Sequence, residues 1–534
     1  MKKQKLEIYI IIAIFSLLAL WACTDNTEPA QTSIAQSVNQ TTALSASLGA
    51  GSPINPRLFG VNGVHETSDD PAASPAYRAM LRALNAQGIR YPSGSPASFW
   101  DWHRGHFIPE QEITAIWPAG AFNWMLELVE DTRNMPEGAL GPVKFLEFGQ
   151  AINAEIQWML NLTTREDEQL AALQKLKAAG ADIRYVEMDN ETYFWGEEFG
   201  EAERGLNYAK RVAKLSPQIR ALYPQARIGI VTREDDLFET DHQDDSPAMV
   251  NWNTHIMRPE FRPHFDALIL HHYVMKRQKL DPYTTDAARG KAFLAYPTAT
   301  LDRAAGLIKK RFGNYPMWIT EYNVIAYYKQ FHGTGESAEW MLATRDTGWN
   351  AIYQASFIIN GMNNPDAIEV LNHHSIGNLD HGWGLGHPID THSGTITKMG
   401  QLYAHLTSLA LRYEQMHPLH FANNPALGVA IEGDANQAAL YGAALTGKAG
   451  QSYWIINRSE HPLTLQLPAG NGPASQWVYP AVEDAPAATT VHYQGRGPVW
   501  AQGPLPLREH TYPAGQAVQL PAHSLSLFEL STHQ

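Results

Sequence analysis

The sequence predicts an α/β protein: a (β/α)8 barrel of the TIM type followed by an antiparallel β-sandwich. Three observations carry this. From Asn55 to Leu409 short apolar runs alternate with stretches whose apolar residues recur every three or four positions, the pattern of parallel strands joined by helices. Two of the apolar runs, Ile183 to Phe194 and Tyr315 to Asn323, contain a closing glutamate, Glu191 and Glu321. At the carboxyl ends of barrel strands such side chains converge on one cleft. Beyond Tyr413 the helical period disappears and short alternating runs take over, as in a sandwich.

The chain opens on Met1-Lys2-Lys3-Gln4-Lys5, an apolar run from Ile8 to Leu20, and then Leu20-Trp21-Ala22-Cys23. This is the build of a secretory signal, residues 1–22, ending in a lipobox-like site with Cys23 as the lipidated residue. The run is shorter than the roughly 20 residues that span a bilayer, which favours a cleaved signal over an uncleaved anchor. Thr24 stands where an aspartate often marks inner-membrane retention, so the sequence points to a lipid-anchored protein of the bacterial outer membrane or periplasm. Cys23 is the single cysteine, so no disulfide helps the fold. Residues 23–42, rich in Thr, Ser, Gln, Ala and Asn, read as a flexible tether. The barrel is expected over 43–415, with Ala43 to Leu48 as a leading strand that joins the sandwich of 416–534. A composition of 44% hydrophobic residues with 15 tryptophans fills a substantial core. A net charge of −14 argues against nucleic acid as a partner and disfavours strongly anionic polymers.

Leu58-Phe59-Gly60-Val61 is the expected first strand, ending in Asn62 and His65-Glu66. Ser74-Pro75 starts a helix with Tyr77, Leu81 and Leu84 on its apolar stripe and Gly88 closing it. Gly88 to Pro92 is strand two. It leads into Ser93 to Arg104, whose Trp100, Trp102 and His103 either line sugar subsites or form an aromatic loop packed on itself. Strand three is Ile156 to Leu162. Thr163 or Thr164, with Glu166 and Asp167, caps a helix carrying Leu170, Leu173 and Leu176 before Gly180. Strand four ends in Asp189-Asn190-Glu191. Tyr208, Val212, Leu215, Ile219 and Leu222 then mark a helix that Pro217 should kink or restart. Arg227 to Val231 is strand five, Phe265 to Tyr273 strand six, and the Glu321 run strand seven. Trp349, Ile352, Ser356 and Ile359 give helix seven, Ala367 to Asn372 strand eight, and Leu402, Leu406 and Leu409 helix eight. The loop 373–392 carries His373, His374, Ser375, His381, Trp383, His387, Asp390 and His392. It reads as a subsite wall or a metal-binding loop, and the wall is favoured because no ligand-like spacing stands out. The sandwich strands are expected at Leu427–Ile431, Ala438–Ala444, Tyr453–Ile456, Leu463–Leu467, Trp477–Tyr479, Val491–Tyr493 and Ser524–Leu530, supporting the barrel rather than binding carbohydrate.

The 130 positions from 191 to 321 hold about three strand-plus-helix units of thirty or more residues, which puts Glu191 on strand four and Glu321 on strand seven. A lone Asn-Glu or Thr-Glu is more often a helix cap or a turn; two strand-terminal glutamates at this separation are a candidate carboxylate pair. The arrangement resembles retaining glycoside hydrolases of clan GH-A, closest in look to the α-L-arabinofuranosidase-like, β-xylosidase and β-glucuronidase families. Arg90-Tyr91-Pro92 resembles the Arg-Tyr-Pro-Gly-Gly segment of arabinofuranosidase-like barrels, with Ser93 in place of a glycine, and His271-His272-Tyr273 resembles the clan's His-x-Tyr.

The resemblance implies Glu191 as acid/base, Glu321 as nucleophile, Arg90 and His271 beside the nucleophile, and Tyr273 hydrogen-bonded to it and holding it ionised. It also implies Asn190 on the sugar's 2-hydroxyl, carbohydrate as substrate, and no cofactor. Asn62, His65 and Trp383 complete the candidate sugar-binding set. An apolar surround and the negative Glu321 would keep Glu191 protonated near neutrality. Adjacent strand residues face opposite ways, so His271 and His272 cannot easily share a metal ion. Two rivals remain at this stage: a surface lipoprotein that binds glycans without cleaving them, and a transglycosylase on the same site. The sugar, the linkage and exo versus endo action are left open.

Overall fold

A computed structural model of the chain describes residues 43–62, 75–116, 138, 140–194, 203–238, 251–275, 279–324, 340–341, 343–345, 347–377, 386–390, 395–468, 473–481, 491–493, 498–500 and 508–530. Eight parallel strands close a barrel: Gly60–Val61, Gly88–Tyr91, Glu155–Met159, Tyr185–Met188, Arg227–Val231, Ala267–Met275, Met317–Val324 and Ile368–His373. Each pairs with the next, and the eighth returns to the first through Asn372 with Gly60 and His373 with Val61. The strands are continuous apolar runs because helices cover their outer faces; every residue of Met317–Val324 is buried.

The helices that cover the barrel include Pro75–Leu84, Pro142–Ile152, Glu166–Ala178, Arg204–Leu222, Asp286–Arg311, Gly348–Asn363 and Lys398–Ala410. Two of these, Pro142–Ile152 and Asp286–Arg311, carry no sequence signal singled out above; the second contains Pro297. Pro217 lies inside an uninterrupted helix rather than at a break. The first strand is shorter than expected, because Pro56–Leu58 forms a 3-10 turn capped by the Asn55 side chain. Helix Pro75–Leu84 ends at Asn85, which takes a left-handed φ of 57°, and Gly88 begins the strand instead of closing the helix. Neither Thr163 nor Thr164 caps helix Glu166–Ala178: the cap position is Arg165, with no side-chain bond. Thr164 Oγ1 bonds the Ser98 carbonyl, and Glu166, Asp167 and Glu168 in the first turn face the helix dipole's positive end.

The second layer is a large antiparallel sheet in the order Ser45–Leu48, Gln415–Ala422, Leu440–Gly447, Gly450–Asn457, Ser524–Leu530, Ala474–Pro480, Arg508–Tyr512. The leading strand pairs Ser45 with Ala422 and Leu48 with Leu419, so the chain enters the barrel from this sheet. Along Gly450–Asn457 the pleat sorts the side chains. Tyr453 and Ile455 face a core shared with Leu465, Val518 and Leu520 of a two-stranded sheet. Trp454 and Ile456 join the barrel's core, where helix Gly348–Asn363 lies against the sheet.

Two sandwich strands fall elsewhere than expected. Leu427–Ile431 makes only isolated bridges. Val491–Tyr493 pairs with Pro498–Trp500 and with Thr395–Ile396, beside Ile389–Asp390 from the loop after the eighth barrel strand. Gln415–Ala422 escapes sequence reading because His417, Pro418 and His420 spoil its alternation.

Candidate active site

The turn that carries Glu191 is built on Asp189. Its buried carboxylate accepts the backbone N–H groups of Leu162 and Thr163 at 2.7 Å each, the hydroxyls of Thr163 and Ser98 at 2.8 Å, and the N–H of Asn190 at 2.7 Å. Burial pushes this carboxyl up, against the pull of those donors. Asp189 and Glu191 both take positive φ, 74° and 39°, and Ser93 sits at 136°. Non-glycine residues seldom adopt such angles unless the surroundings over-determine them, and they cluster at functional sites. Ser93 has that unfavourable φ, and its hydroxyl is buried with no hydrogen-bond partner among the described residues.

Glu321 lies at the cleft end of the seventh barrel strand, in register with His271 of the sixth. The ladder there runs Leu270 with Ile319 and then His271 with Glu321, so Thr320 is an extra residue. This bulge explains why Thr320 and Glu321, though adjacent, both reach the interior.

Four groups converge on Glu321. Arg90 Nη1 donates to Oε1 at 2.6 Å, Tyr273 Oη donates to Oε2 at 2.6 Å, and His271 Nδ1 lies 3.6 Å from Oε2. Gly94 approaches so closely that a Cβ there would lie 2.7 Å from Oε1. Burial alone would push the carboxyl up, but His271, His374 and Arg90, with the Tyr273 hydrogen bond, outweigh it and hold Glu321 well below the usual carboxylate range.

His271 Nδ1 also contacts Glu191 Oε1 at 2.8 Å. The two glutamate oxygens are therefore no further apart than the 2.8 Å and 3.6 Å contacts laid end to end, just short of the roughly 6.5 Å at which inverting carboxyl pairs begin. Tyr193 Oη donates to the same Glu191 oxygen at 3.2 Å, so the surround of Glu191 is polar rather than apolar. Burial works against a charged His271, yet Glu321 and Glu191 prevail and hold it above the ordinary imidazole value.

Asn190 is buried; its Oδ1 accepts from Arg90 at 2.8 Å and its Nδ2 reaches Ser95 Oγ at 3.4 Å. Asn62 Nδ2 contacts His374 Nδ1 at 2.8 Å. Burial pushes His374 down to about 4, against the pull of Glu321. His272 points the other way, to Glu234 and to Thr300 Oγ1 at 2.8 Å. Among the described residues no group of three His, Cys, Asp or Glu side chains could hold a metal.

Three expected sugar contacts are not in the cleft. Trp100 and Trp102 are buried, at 0% and 1% exposure, in a cluster with Tyr91, Phe107, Phe145 and Trp158. The turn Ser95–Phe99 leads the chain inward, and indole Nε1 of Trp100 donates to Tyr91 Oη at 3.0 Å. His103 is exposed and meets Lys175 Nζ at 2.9 Å on the helical wall. Cys23, His65, Trp383, His381 and His392 lie outside the described residues.

Sequence reading missed Glu187, Thr320 and Tyr193, and it placed His374 only in a loop read as a subsite wall or a metal-binding loop. Glu187 is fully buried in the strand that leads to Glu191 and forks onto Arg90. A carboxylate inside an apolar strand, three residues before Asn190, was the available signal.

No protein-family model and no curated protein matches the chain. Solved structures share its fold. A family 51 α-L-arabinofuranosidase from Bifidobacterium longum superposes with a TM-score of 0.62 at 18% identity, covering 91% of this chain and 99% of its own. The α-L-arabinofuranosidase of Thermotoga maritima, in complex with arabinose, gives 0.61 at 14% identity over 92% and 100%. CelM2, a bifunctional glucanase–xylanase from a metagenome library, gives 0.53 at 13% identity over 92% and 99%. The barrel with its antiparallel sheet domain is thus the fold of known glycoside hydrolases, as the sequence led us to expect.

Proposed function

We propose that this chain is a retaining glycoside hydrolase that cleaves plant or algal poly- or oligosaccharides, with Glu321 as nucleophile and Glu191 as acid/base. The observation that carries the reading is the placement of His271 Nδ1 within 2.8 Å of Glu191 and 3.6 Å of Glu321, which brings two carboxylates from distant strands to one sugar-sized gap. Glu321, kept ionised by its donors, attacks the anomeric carbon as Glu191 protonates the departing oxygen. The resulting glycosyl ester is then hydrolysed by a water that gives its proton to Glu191. The chain's own groups supply the charge stabilisation, and no cofactor enters. The signal-like start and Cys23 support a lipid-anchored protein of the outer membrane or periplasm.

The arabinofuranosidase and glucanase–xylanase activities of the structural neighbours name the sugars to test first. Aryl α-L-arabinofuranosides, β-xylosides, β-glucosides and β-glucuronides, with plant and algal polysaccharides, form the panel. Hydrolysis with retention of anomeric configuration, followed by proton NMR, is the expected result. Inverted product would remove the double displacement, transfer to an added acceptor sugar in preference to water would make the chain a transglycosylase, and binding without turnover on the whole panel would remove the hydrolase.

A further inference from the structure

Behind the two glutamates lies a third, Glu187, bonded to Arg90 and Thr320 rather than to either of them. It is fully buried, and its two oxygens are divided between two branches. On one branch Arg90 presents Nε to Oε2 at 2.8 Å and Nη2 to Oε1. This two-point fork fixes the guanidinium plane, and its remaining nitrogen, Nη1, then points at Glu321. On the other branch the Thr320 hydroxyl donates to Glu187 Oε1 at 3.2 Å. With its proton committed there, Thr320 Oγ1 faces His271 Nε2, 3.1 Å away, as an acceptor. Arg90 Nη2, 3.5 Å from the same ring nitrogen, spends its two hydrogens on Glu187 Oε1 and Asn190 Oδ1 and does not compete for it. With the Thr320 proton on Glu187, Nε2 of His271 is the donor to Thr320 Oγ1, and Nδ1 is the ring nitrogen that faces Glu191. Gln157 Nε2, at 3.1 Å from Oε2, completes the cage around Glu187.

We propose that Glu187 is a positioning residue that sets both candidate catalytic carboxylates at once, aiming Arg90 at Glu321 and, through Thr320, fixing the ring of His271 so that Nδ1 serves Glu191. This rests on the reading of Glu191 and Glu321 given above. The bulge at Thr320 is what makes it possible, since a regular strand would turn either Thr320 or Glu321 away from the interior. The charged and titratable groups that face His271 are Glu191 from the fourth strand's turn, Glu321 from the seventh strand, Arg90 from the second and His374 beyond the eighth.

The test uses the full-length protein and the variants Glu187→Gln, Thr320→Val and Thr320→Ser. The kinetic probe is 4-nitrophenyl α-L-arabinofuranoside, or whichever aryl glycoside of the panel the parent cleaves. The second readout is the two-bond proton–nitrogen NMR spectrum of protein carrying nitrogen-15 histidine, with the His271 signals assigned by their loss in His271→Gln. Glu187→Gln and Thr320→Val should each lower kcat by about a hundred-fold with KM little changed, the scale of a misplaced catalytic group. In Thr320→Val the alkaline limb of kcat/KM should move to lower pH, and the Nε2–H signature of His271 should be lost. Thr320→Ser, which restores the hydroxyl, should restore both.

The proposal is overturned if Thr320→Val keeps the parent's imidazole signature and pH profile, or if Glu187→Gln raises KM as much as it lowers kcat. A parent that cleaves nothing on the panel removes the proposed function instead, while the NMR arm still decides whether Thr320 fixes the histidine.

Discussion

The Tyr273 hydroxyl donates to Glu321 Oε2 at 2.6 Å. It is one of the influences that hold this carboxyl below the usual range despite its burial. In Tyr273→Phe one stabiliser of the charged form is gone, so Glu321 takes up its proton at higher pH. The acidic limb of kcat/KM should shift upward, and kcat should fall about a hundred-fold, the cost of deleting one donor at a reacting charge. A pH–rate profile checks this; an acidic limb that stays in place would show that the phenol does not bear on the ionisation of Glu321.

The two glutamates should fail differently. On the roles proposed above, Glu321→Ala removes the nucleophile and should abolish hydrolysis with every leaving group. Glu191→Ala should spare turnover of 2,4-dinitrophenyl glycosides, whose departure needs no proton, and azide should accelerate it by taking the space of the lost carboxylate. Rates with 2,4-dinitrophenyl and methyl glycosides, with and without azide, separate the roles. Equal loss in both variants, unrelieved by azide, would dissolve the distinction between them.

Gly94 is a glycine for reasons of backbone and of space. Its φ of −75° is ordinary, but its ψ of −132° falls outside the regions open to a residue with a Cβ, and a Cβ would come within 2.7 Å of Glu321 Oε1, closer than a carbon and an oxygen tolerate. In Gly94→Ala the carboxylate must yield, and with it the Arg90 contact. A loss of kcat of about a hundred-fold is expected, and the melting temperature should fall as well, because the clash lies at a buried carboxylate and the backbone at this position disfavours any Cβ. Steady-state kinetics and a thermal melt measured together decide it.

Trp102 marks the limit of sequence reading. A Trp-rich run after the second barrel strand suggests a sugar platform, and nothing in its composition says that the next turn folds inward. What was legible depended on periodicity and on residue type at strand ends: the eight strands, Arg90, Asn190, Glu191, His271, Tyr273 and Glu321. What was not legible depended on burial and register. Trp102 became a core residue through packing against Tyr91 and Trp158, and Thr320 became an inward residue through a bulge that no pattern of apolar residues records. Trp102→Ala should therefore cost about 3–5 kcal/mol of stability and leave KM for a small aryl glycoside unchanged. Denaturant unfolding and KM, measured on the same preparation, distinguish a buried ring from a subsite.

His405 ties helix Lys398–Ala410 to strand Ala474–Pro480, its Nδ1 in hydrogen-bond contact with the Tyr479 hydroxyl. Burial, with Arg412 nearby, pushes this imidazole down to about 4, from an ordinary value of 6.5. The unfolded chain thus binds the proton more readily than the folded one. The stability this neutral ring contributes is complete above pH 6.5 and declines as pH falls toward 4. His405→Gln keeps a polar partner for Tyr479 and cannot titrate, so its melting temperature should lie below the parent's at pH 8 and the gap should narrow steadily between pH 6.5 and 4. His374, pushed down by burial in the same way, tilts parent and variant alike and drops out of the difference. Calorimetric scans of the two proteins from pH 8 to 4.5 read that difference directly, and parallel curves would mean that the junction between barrel and sheet does not sense acid through this histidine.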